Sequence, residues 1–315
     1  MNQRQQNLFL FTSSYFLYKS FLFKMKIRGY LLAIVSAVSF GLIPLFVIPV
    51  KQINFSMNIT LFYRFLIAAI LIIPILLYKK EKLKVSFKEL SILISLGLFY
   101  ALGSDTLFIA YDFLTPGIAS TIFFIYPVFV ALAMSLFFNE KLSKLTFISL
   151  FITLFGVYIL SIKNSGEEIN MTGMLIAVSS ALSYCIYILI VNQSKLNESG
   201  WKITFYTMVF ASVYFLVKNF TVRESFEIPS ISMIFDFTVF AFVTTVISVS
   251  TLVYAIKLIG STPASILGAL EPVVAVLVSI LIFGEVFTKN LFWGILLILF
   301  GVIMSIIGES RKNKI

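Results

Sequence analysis

Apolar runs of about twenty residues, broken by short basic connectors, occupy the chain from Gly29 to its last turn. Crossing the hydrocarbon layer of a bilayer takes about 20 apolar residues in a helix. About ten runs meet that length: 29–50, 58–78, 88–110, 115–138, 144–162, 171–192, 201–217, 231–256, 262–283 and 289–307. The pattern predicts an all-α membrane protein of ten transmembrane helices. Its longest connector, around Lys218 to Pro229, is too short for a folded domain, so the chemistry has to lie inside the membrane. A basic tail, 309–315, follows the last run.

Residues 1–25 stand outside this pattern as an N-terminal extension, aromatic and basic. They lack a small-residue cleavage site, so a secretory signal is not expected. Their apolar part is short for a span and carries Lys19. Two readings stay open. Met25 opens MKIRGYLLA, basic residues followed by a helix, which fits a start codon placed too far upstream. The alternative is an interfacial helix lying on the membrane; an extra span fits less well.

Composition narrows the solvent and the chemistry. The chain is 60% apolar with mean hydropathy +1.03, against about 45–50% apolar in ordinary soluble domains. The formal charge of +10 does not point to nucleic acid, because the basic residues sit in connectors and form no single face. They are unequally shared between the two membrane faces. One face holds Lys79, Lys80, Lys82, Lys84, Lys88, Lys141, Lys144, Lys195, Lys202, Lys257 and Arg311; the other holds Lys51, Lys163, Lys218, Arg223 and Lys289. That bias predicts both termini in the cytoplasm. The chain has no histidine, which excludes HExxH metal sites, histidine-based triads and a histidine proton relay. It has one cysteine, Cys185, and no GxxxxGKS or GxxxxGKT phosphate loop. No cofactor, metal or direct use of ATP is expected.

The halves repeat at a spacing of roughly 145 residues. GYLLAIVSAVSF from Gly29 matches GMLIAVSSALSY from Gly173, and YPVFVALAMSLFFNEKLS from Tyr126 matches EPVVAVLVSILIFGEVFT from Glu271. Pro127 falls on Pro272, Glu140 on Glu285 and Gly156 on Gly301. Both halves open this helix with Thr-Pro, at Thr115 and Thr262, a sound N-cap followed by proline at the first helical position. The repeats are 26–163 and 171–308. Similar halves with five spans each enter the membrane in opposite directions, an inverted-topology repeat. Sites in such folds lie near the midplane, where the repeats meet.

These residues resemble the drug/metabolite transporter superfamily, specifically its EamA-type family. The likeness rests on the Thr-Pro starts, on Tyr126-Pro127 and Glu271-Pro272, and on NEKLS at Asn139 and GEVFT at Gly284. Tyr63-Arg64-Phe65 and the SAVSFG and SALSYC segments at Ser36 and Ser180 add to it. It covers residues 26–307. The resemblance implies a ten-helix carrier with a central cavity that exports amino acids, metabolites or drugs, without selecting among them.

The candidate residues centre on Glu271, an acid about nine residues into its helix, roughly 14 Å deep at 1.5 Å per residue. Acidic groups at that depth are costly and usually functional. Tyr126 takes the equivalent place in the other half, giving an asymmetric polar pair beside the helix kinks at Pro127 and Pro272. Glu271 can bind a substrate amine or carry a coupling proton. Ser180, Ser183, Tyr184 and Tyr187 form one helical stripe. Tyr100 and Ser104 form another, and Ser248 lies on a third; all can line a cavity, or the serines can serve helix packing. Arg64 and Asp105 match in depth near the outer face, which predicts an ion pair at the outer mouth or snorkelling of both groups to the interface.

The sequence therefore predicts a carrier in the plasma or inner membrane, moving a small organic solute by alternating access, with the lipid bilayer and protons as candidate partners. Two rivals remain: a membrane enzyme, and a non-transporting assembly factor or sensor.

Overall fold

The computed structural model describes residues 24–53, 55–114, 119, 122–161, 170–194, 196–222, 226–284 and 287–312. The N-terminal extension and the Thr115-Pro116 helix start lie outside the described residues, as does Glu285. The elements in chain order are α1 (24–41), α2 (Pro44–Gln52), α3 (Met57–Tyr78), α4 (Phe87–Ala110), α5 (Tyr126–Phe137) and α6 (Lys144–Ser161). Then come α7 (Met171–Gln193), α8 (Gly200–Val222), α9 (Ile231–Ile259), α10 (Ser261–Leu267), α11 (Leu270–Phe283) and α12 (Lys289–Lys312).

Among the described residues, eight helical stretches are long and apolar enough to cross a membrane. They are Lys24–Val50, α3, α4, α7, α8, α9, Ser261–Ile282 and Lys289–Gly308. Two shorter apolar helices, Tyr126–Phe137 and Lys144–Ile159, stand where the fourth and fifth spans were expected. The side chains invert the soluble pattern. Phe151, Trp293, Leu281 and Phe235 point outward, while Ser180, Thr204, Thr244, Thr245, Ser261 and Thr262 are buried. That arrangement suits a lipid solvent, where polar groups find partners only inside.

Helices start where the sequence supplies a side-chain acceptor. Ser56 Oγ accepts from Ile59 N, Asn170 Oδ1 from Gly173 N and Ser230 Oγ from Met233 N. Ser86 and Glu89 form a capping box, with Glu89 Oε2 accepting from Ser86 N at 2.7 Å. The ninth expected span departs from its predicted start. Its helix begins one residue early, at Ser261, behind Gly260 at φ 86°, so Thr262 is not the N-cap. Instead Thr262 Oγ1 donates to Glu140 Oε2 at 3.1 Å. Glu140 thus ties the first repeat to the second.

Both prolines follow an interruption of their helix, at the places where kinks were expected. α5 carries Pro127 in its first turn after a turn at Phe124 and Ile125. α11 carries Pro272 in its first turn after a turn at Gly268 and Ala269. A proline there gives up an N–H that has no intrahelical partner anyway. α1 also breaks, at Leu42 and Ile43, before Pro44 opens α2. In α9 the break is subtler: Phe242–Ile247 widens into a π-helical segment.

Equivalent positions of the repeat make equivalent contacts. The most extensive helix contacts are α6 with α12, α4 with α7 and α3 with α8. Gly156 and Gly301, matched in the repeat, both lie in the α6–α12 seam. A Cβ on Gly156 would sit 2.9 Å from Gly294 O, and one on Gly301 would sit 3.0 Å from Ser149 O. Shifted by 144 residues, Ser36 falls on Ser180 and Ser104 on Ser248. Ser180 Oγ donates to Gly103 O at 2.6 Å, and Ser248 Oγ donates to Ser36 O at 3.1 Å. The first helix of each half is thereby bonded to the third helix of the other half through a serine.

The connectors gather at two ends. At one, Ser199 Oγ donates to Glu81 Oε2, Lys202 Nζ reaches Lys84 O and Glu198, and Lys257 Nζ reaches Leu196 O. At the other, Lys218 Nζ pairs with Asp105 and Ser56 N donates to Glu227 Oε2.

Candidate functional site

Two of the helix breaks meet. A Cβ on Gly41, the last residue of α1, would lie 2.7 Å from Glu271 O and 2.7 Å from Val274 Cβ. The end of α1 therefore rests directly on the first turn of α11. Glu271 stands in that first turn with its N–H donating to Gly268 O at 2.9 Å. Its side chain is buried, and Oε2 has no hydrogen-bond partner among the described residues. A carboxylate in the first turn of a helix faces the positive end of the helix dipole.

Tyr126 comes to the same place from the other repeat. Its hydroxyl donates to Ser265 O at 3.4 Å and lies where a Cβ of Gly268 would be, at 1.9 Å. The expected meeting of Tyr126 and Glu271 thus takes place at the α10–α11 break, but with no hydrogen bond between them. The Tyr126 hydroxyl is spent on the Ser265 carbonyl, which also accepts from Gly268 N at 3.1 Å.

Behind Tyr126 the aromatic residues form a continuous cluster. Its ring meets Tyr184 edge-on at 4.9 Å, Tyr184 stacks with Tyr187 at 5.8 Å, and Tyr100 meets Tyr187 at 5.1 Å. All four tyrosines, Tyr100, Tyr126, Tyr184 and Tyr187, are buried. The hydroxyls of Tyr100 and Tyr187 have no hydrogen-bond partner among the described residues. Three buried polar atoms without partners, two phenols and one carboxylate oxygen, are rare in one neighbourhood and call for a ligand or water. Among the described residues, no three His, Cys, Asp or Glu side chains lie together as a metal site would require.

The candidate serines sit differently. Ser183 Oγ donates to Ser179 O at 2.9 Å and Ser104 Oγ to Tyr100 O at 3.1 Å, each turned back on its own helix. Ser248 is buried against Ser36. These hydroxyls are engaged with helix carbonyls, whereas the Tyr100 and Tyr187 hydroxyls are not.

The expected Arg64–Asp105 pair does not form. Asp105 accepts from Tyr214 Oη at 2.7 Å and pairs with Lys218. Arg64 is 2% exposed, so it does not snorkel, and its Nε–H donates to Thr245 Oγ1 at 2.8 Å. The reason is angular. Equal depth places two residues at one level, but rotation about each helix axis turns Arg64 toward α9 and Asp105 toward α8. Sequence reasoning missed Lys218 because it ended the seventh span at residue 217, and so gave Tyr214 no charged neighbour one turn on. α8 runs on to Val222, which brings Lys218 onto a helix face shared with Tyr214.

The comparisons with known proteins agree with this architecture. Residues 27–162 and 171–307 each match the EamA-like transporter family. An uncharacterized transporter of Bacillus subtilis (strain 168), YvbV, is 28% identical over 266 residues, covering 80% of this chain and 81% of that protein. An uncharacterized transporter of Clostridium kluyveri is 24% identical over 262 residues, covering 80% and 84%. One crystal structure superposes with a TM-score of 0.76 at 15% identity, covering 90% of this chain and 98% of its own, which shows a shared fold. The two matched segments cover nearly the whole length, and the chain belongs to the EamA-like transporter family: it is a multi-pass membrane transporter and not an enzyme.

Proposed function

We propose that this transporter is a secondary carrier that moves a small organic solute by alternating access, with export as its direction. The solute site is the space bounded by Glu271, Tyr126, Tyr100, Tyr184 and Tyr187. One observation carries this reading: the buried Glu271 Oε2 has no partner among the described residues and stands at a helix break where the two repeats meet. Broken helices at a repeat interface are the usual way carriers build a midplane site.

The topology in this proposal has ten crossings in two inverted five-helix repeats, α5 and α6 being the fourth and fifth. The paired contacts of Gly156 with Gly301 and of Ser36–Ser248 with Ser180–Gly103 support it. The lysine-rich end that joins Glu81, Lys84, Glu198, Lys202 and Lys257 is the cytoplasmic end. Both termini then face the cytoplasm of a plasma or inner membrane.

A single carboxylate gives a route to coupling. Glu271 holds either a proton or the cationic end of a solute, so loading one displaces the other. Exchange of protons against solute follows from that competition without a second ionisable group.

Solute flux in proteoliposomes tests the reading. Amino acids, nucleotides and amphiphilic cations are loaded and counterflow is followed. Wild-type protein is expected to exchange at least one of them, and Glu271→Ala to lose that exchange. No flux for any solute would sink the carrier reading.

A further inference from the structure

α4 and α9 are the third helices of the two halves, and they start alike. Ser86 caps α4 and Ser230 caps α9, 144 residues apart, and Ser104 and Ser248 keep that spacing. No residue is gained or lost between cap and serine. Yet α4 is α-helical from Phe87 to Ala110, whereas α9 widens into its π-helical segment at Phe242–Ile247. A π turn bonds i to i+5 in place of i+4, so it absorbs about one residue that an α-helix would place further along.

The crossings with the first helices show that residue. α7 meets α4 at Gly103: Ser180 Oγ donates to Gly103 O at 2.6 Å, and a Cβ on Gly103 would lie 3.6 Å from Ser180 O. At the matching crossing of α1 with α9, the equivalent of Gly103 is Ile247. Ser36 faces the next residue instead. Its Oγ lies 3.4 Å from Ser248 Oγ, and Ser248 Oγ donates to Ser36 O at 3.1 Å. The α1–α9 crossing is displaced by one residue, as a π turn ahead of it requires.

The side chain facing each segment differs. Arg64 of α3 stands against the π-helical segment of α9, and at the same shift the buried Met208 lies on α8, which packs on α4. Arg64 Nε–H donates to Thr245 Oγ1 at 2.8 Å and Nη2 to Thr244 O at 3.2 Å. In an α-helix the Ser248 N–H would take the Thr244 carbonyl. Here that N–H bonds Thr245 O, and the guanidinium serves Thr244. Methionine has no donor to offer at this place. Phe240, one turn earlier on α9, lies 4.7 Å from Arg64 Cζ, and Phe40 of α1 lies 5.7 Å from it. No carboxylate among the described residues forms an ion pair with Arg64, so these rings and the two threonines are what offsets its burial.

We infer that Arg64 is a positioning residue: it holds α9 in the π register and thereby sets Ser248, in place of Ile247, against α1. Single π turns inside α-helices are frequent at functional sites. Phe40, on the guanidinium, is followed by Gly41, which rests on the Glu271 backbone. The register of α9 therefore fixes how the end of α1 seats on the first turn of α11. The effect on solute rests on the carrier reading; the register does not.

The test uses the full chain in proteoliposomes with its one cysteine replaced, Cys185→Ala. Ser36→Cys is combined with Ser248→Cys or with Ile247→Cys, and each pair is oxidised with copper phenanthroline. Protection from alkylation after denaturation reads the disulfide. With Arg64 present, the 36/248 pair should close and the 36/247 pair should not. Arg64→Met should move closure to the 36/247 pair and slow counterflow. Deleting Val243 as well removes one residue from the helix that no longer widens; closure should return to the 36/248 pair, and counterflow with it. A role for Arg64 in charge balance or fold stability alone would not be repaired by a deletion. If Arg64→Met does not fold by itself, the Arg64→Met protein lacking Val243 decides, because it is expected to fold and to close at 36/248. Closure that stays at 36/248 in Arg64→Met overturns the inference, as does a deletion that fails to restore it, or a 36/248 pair that stays open with Arg64 present. Closure that moves while counterflow is unchanged overturns the link to the site. If no solute gives counterflow, the carrier reading falls, and the crosslinks still decide the register.

Discussion

Gly268 offers the sharpest perturbation of the α10–α11 break. Its backbone is right-handed helical, φ −54° and ψ −24°, so alanine is conformationally acceptable there. Alanine is ordinarily the better helix former by about 1 kcal/mol. Space reverses the sign. The added Cβ would fall 1.9 Å from Tyr126 Oη, 3.2 Å from Tyr126 Cζ and 2.9 Å from Ser265 O. Tyr126 cannot swing aside, because its ring is wedged between Phe123 at 5.3 Å and Tyr184 at 4.9 Å. Overpacking of this kind costs about 1–3 kcal/mol. Tyr126→Phe removes the offending oxygen, and since its hydrogen bond is long, at 3.4 Å, the substitution alone should cost under about 1 kcal/mol. The double variant should therefore be more stable than Gly268→Ala alone, recovering about half of the loss. The residual cost is the contact with Ser265 O. SDS-induced unfolding in mixed micelles measures all four proteins, and counterflow reads the site. A Gly268→Ala protein as stable as wild type would refute the packing argument. So would a double variant no better than the single one.

Other predictions follow from the same geometry. Lys218→Met should destabilise by about 3 kcal/mol, the low end for a buried pair, because Lys218 keeps 20% of its side chain exposed while Asp105 keeps 6%. Adding Asp105→Asn should restore most of that loss, as the same unfolding measurement would show. Gly41→Ala should impair both folding and transport, because the new Cβ would meet a backbone oxygen and a Cβ at 2.7 Å, and neither can rotate away. Wild-type protein should accumulate its solute when a pH gradient is imposed across the vesicle. Glu271→Gln should lose that response while keeping solute exchange, and an unchanged pH response would rule out coupling through Glu271.

Much of this fold is legible in the sequence, for identifiable reasons. Lipid imposes a length on every apolar run, and duplication prints the architecture twice. Pro127 and Pro272 are recognisable as structural because both halves carry them, and Glu271 as special because Tyr126 replaces it. What escapes the sequence is rotation and interruption. A proline in an apolar run reads the same whether it kinks a continuous helix or restarts a broken one; only the turns at Phe124 and Gly268 decide. The π-helical segment over Phe242–Ile247 has no composition of its own, yet it supplies both acceptors of Arg64. Depth along an axis is countable from sequence, whereas azimuth drifts with each break and each extra residue. That is why Asp105 meets Lys218 and not Arg64. Tyr184 and Tyr187 share a helical stripe that the sequence shows, but their meeting with Tyr100 and Tyr126 depends on how three helices turn toward one another.

The account stands or falls on whether solute occupies the space beside Glu271. Dicyclohexylcarbodiimide, which modifies carboxyl groups in apolar surroundings, can be followed at this one residue by mass spectrometry of the purified protein. Glu271 is expected to be labelled, and a solute that supports counterflow should slow that labelling in proportion to its occupancy while leaving other carboxyls unchanged. Labelling of Glu271 that is indifferent to a saturating transported solute would contradict the assignment of the site.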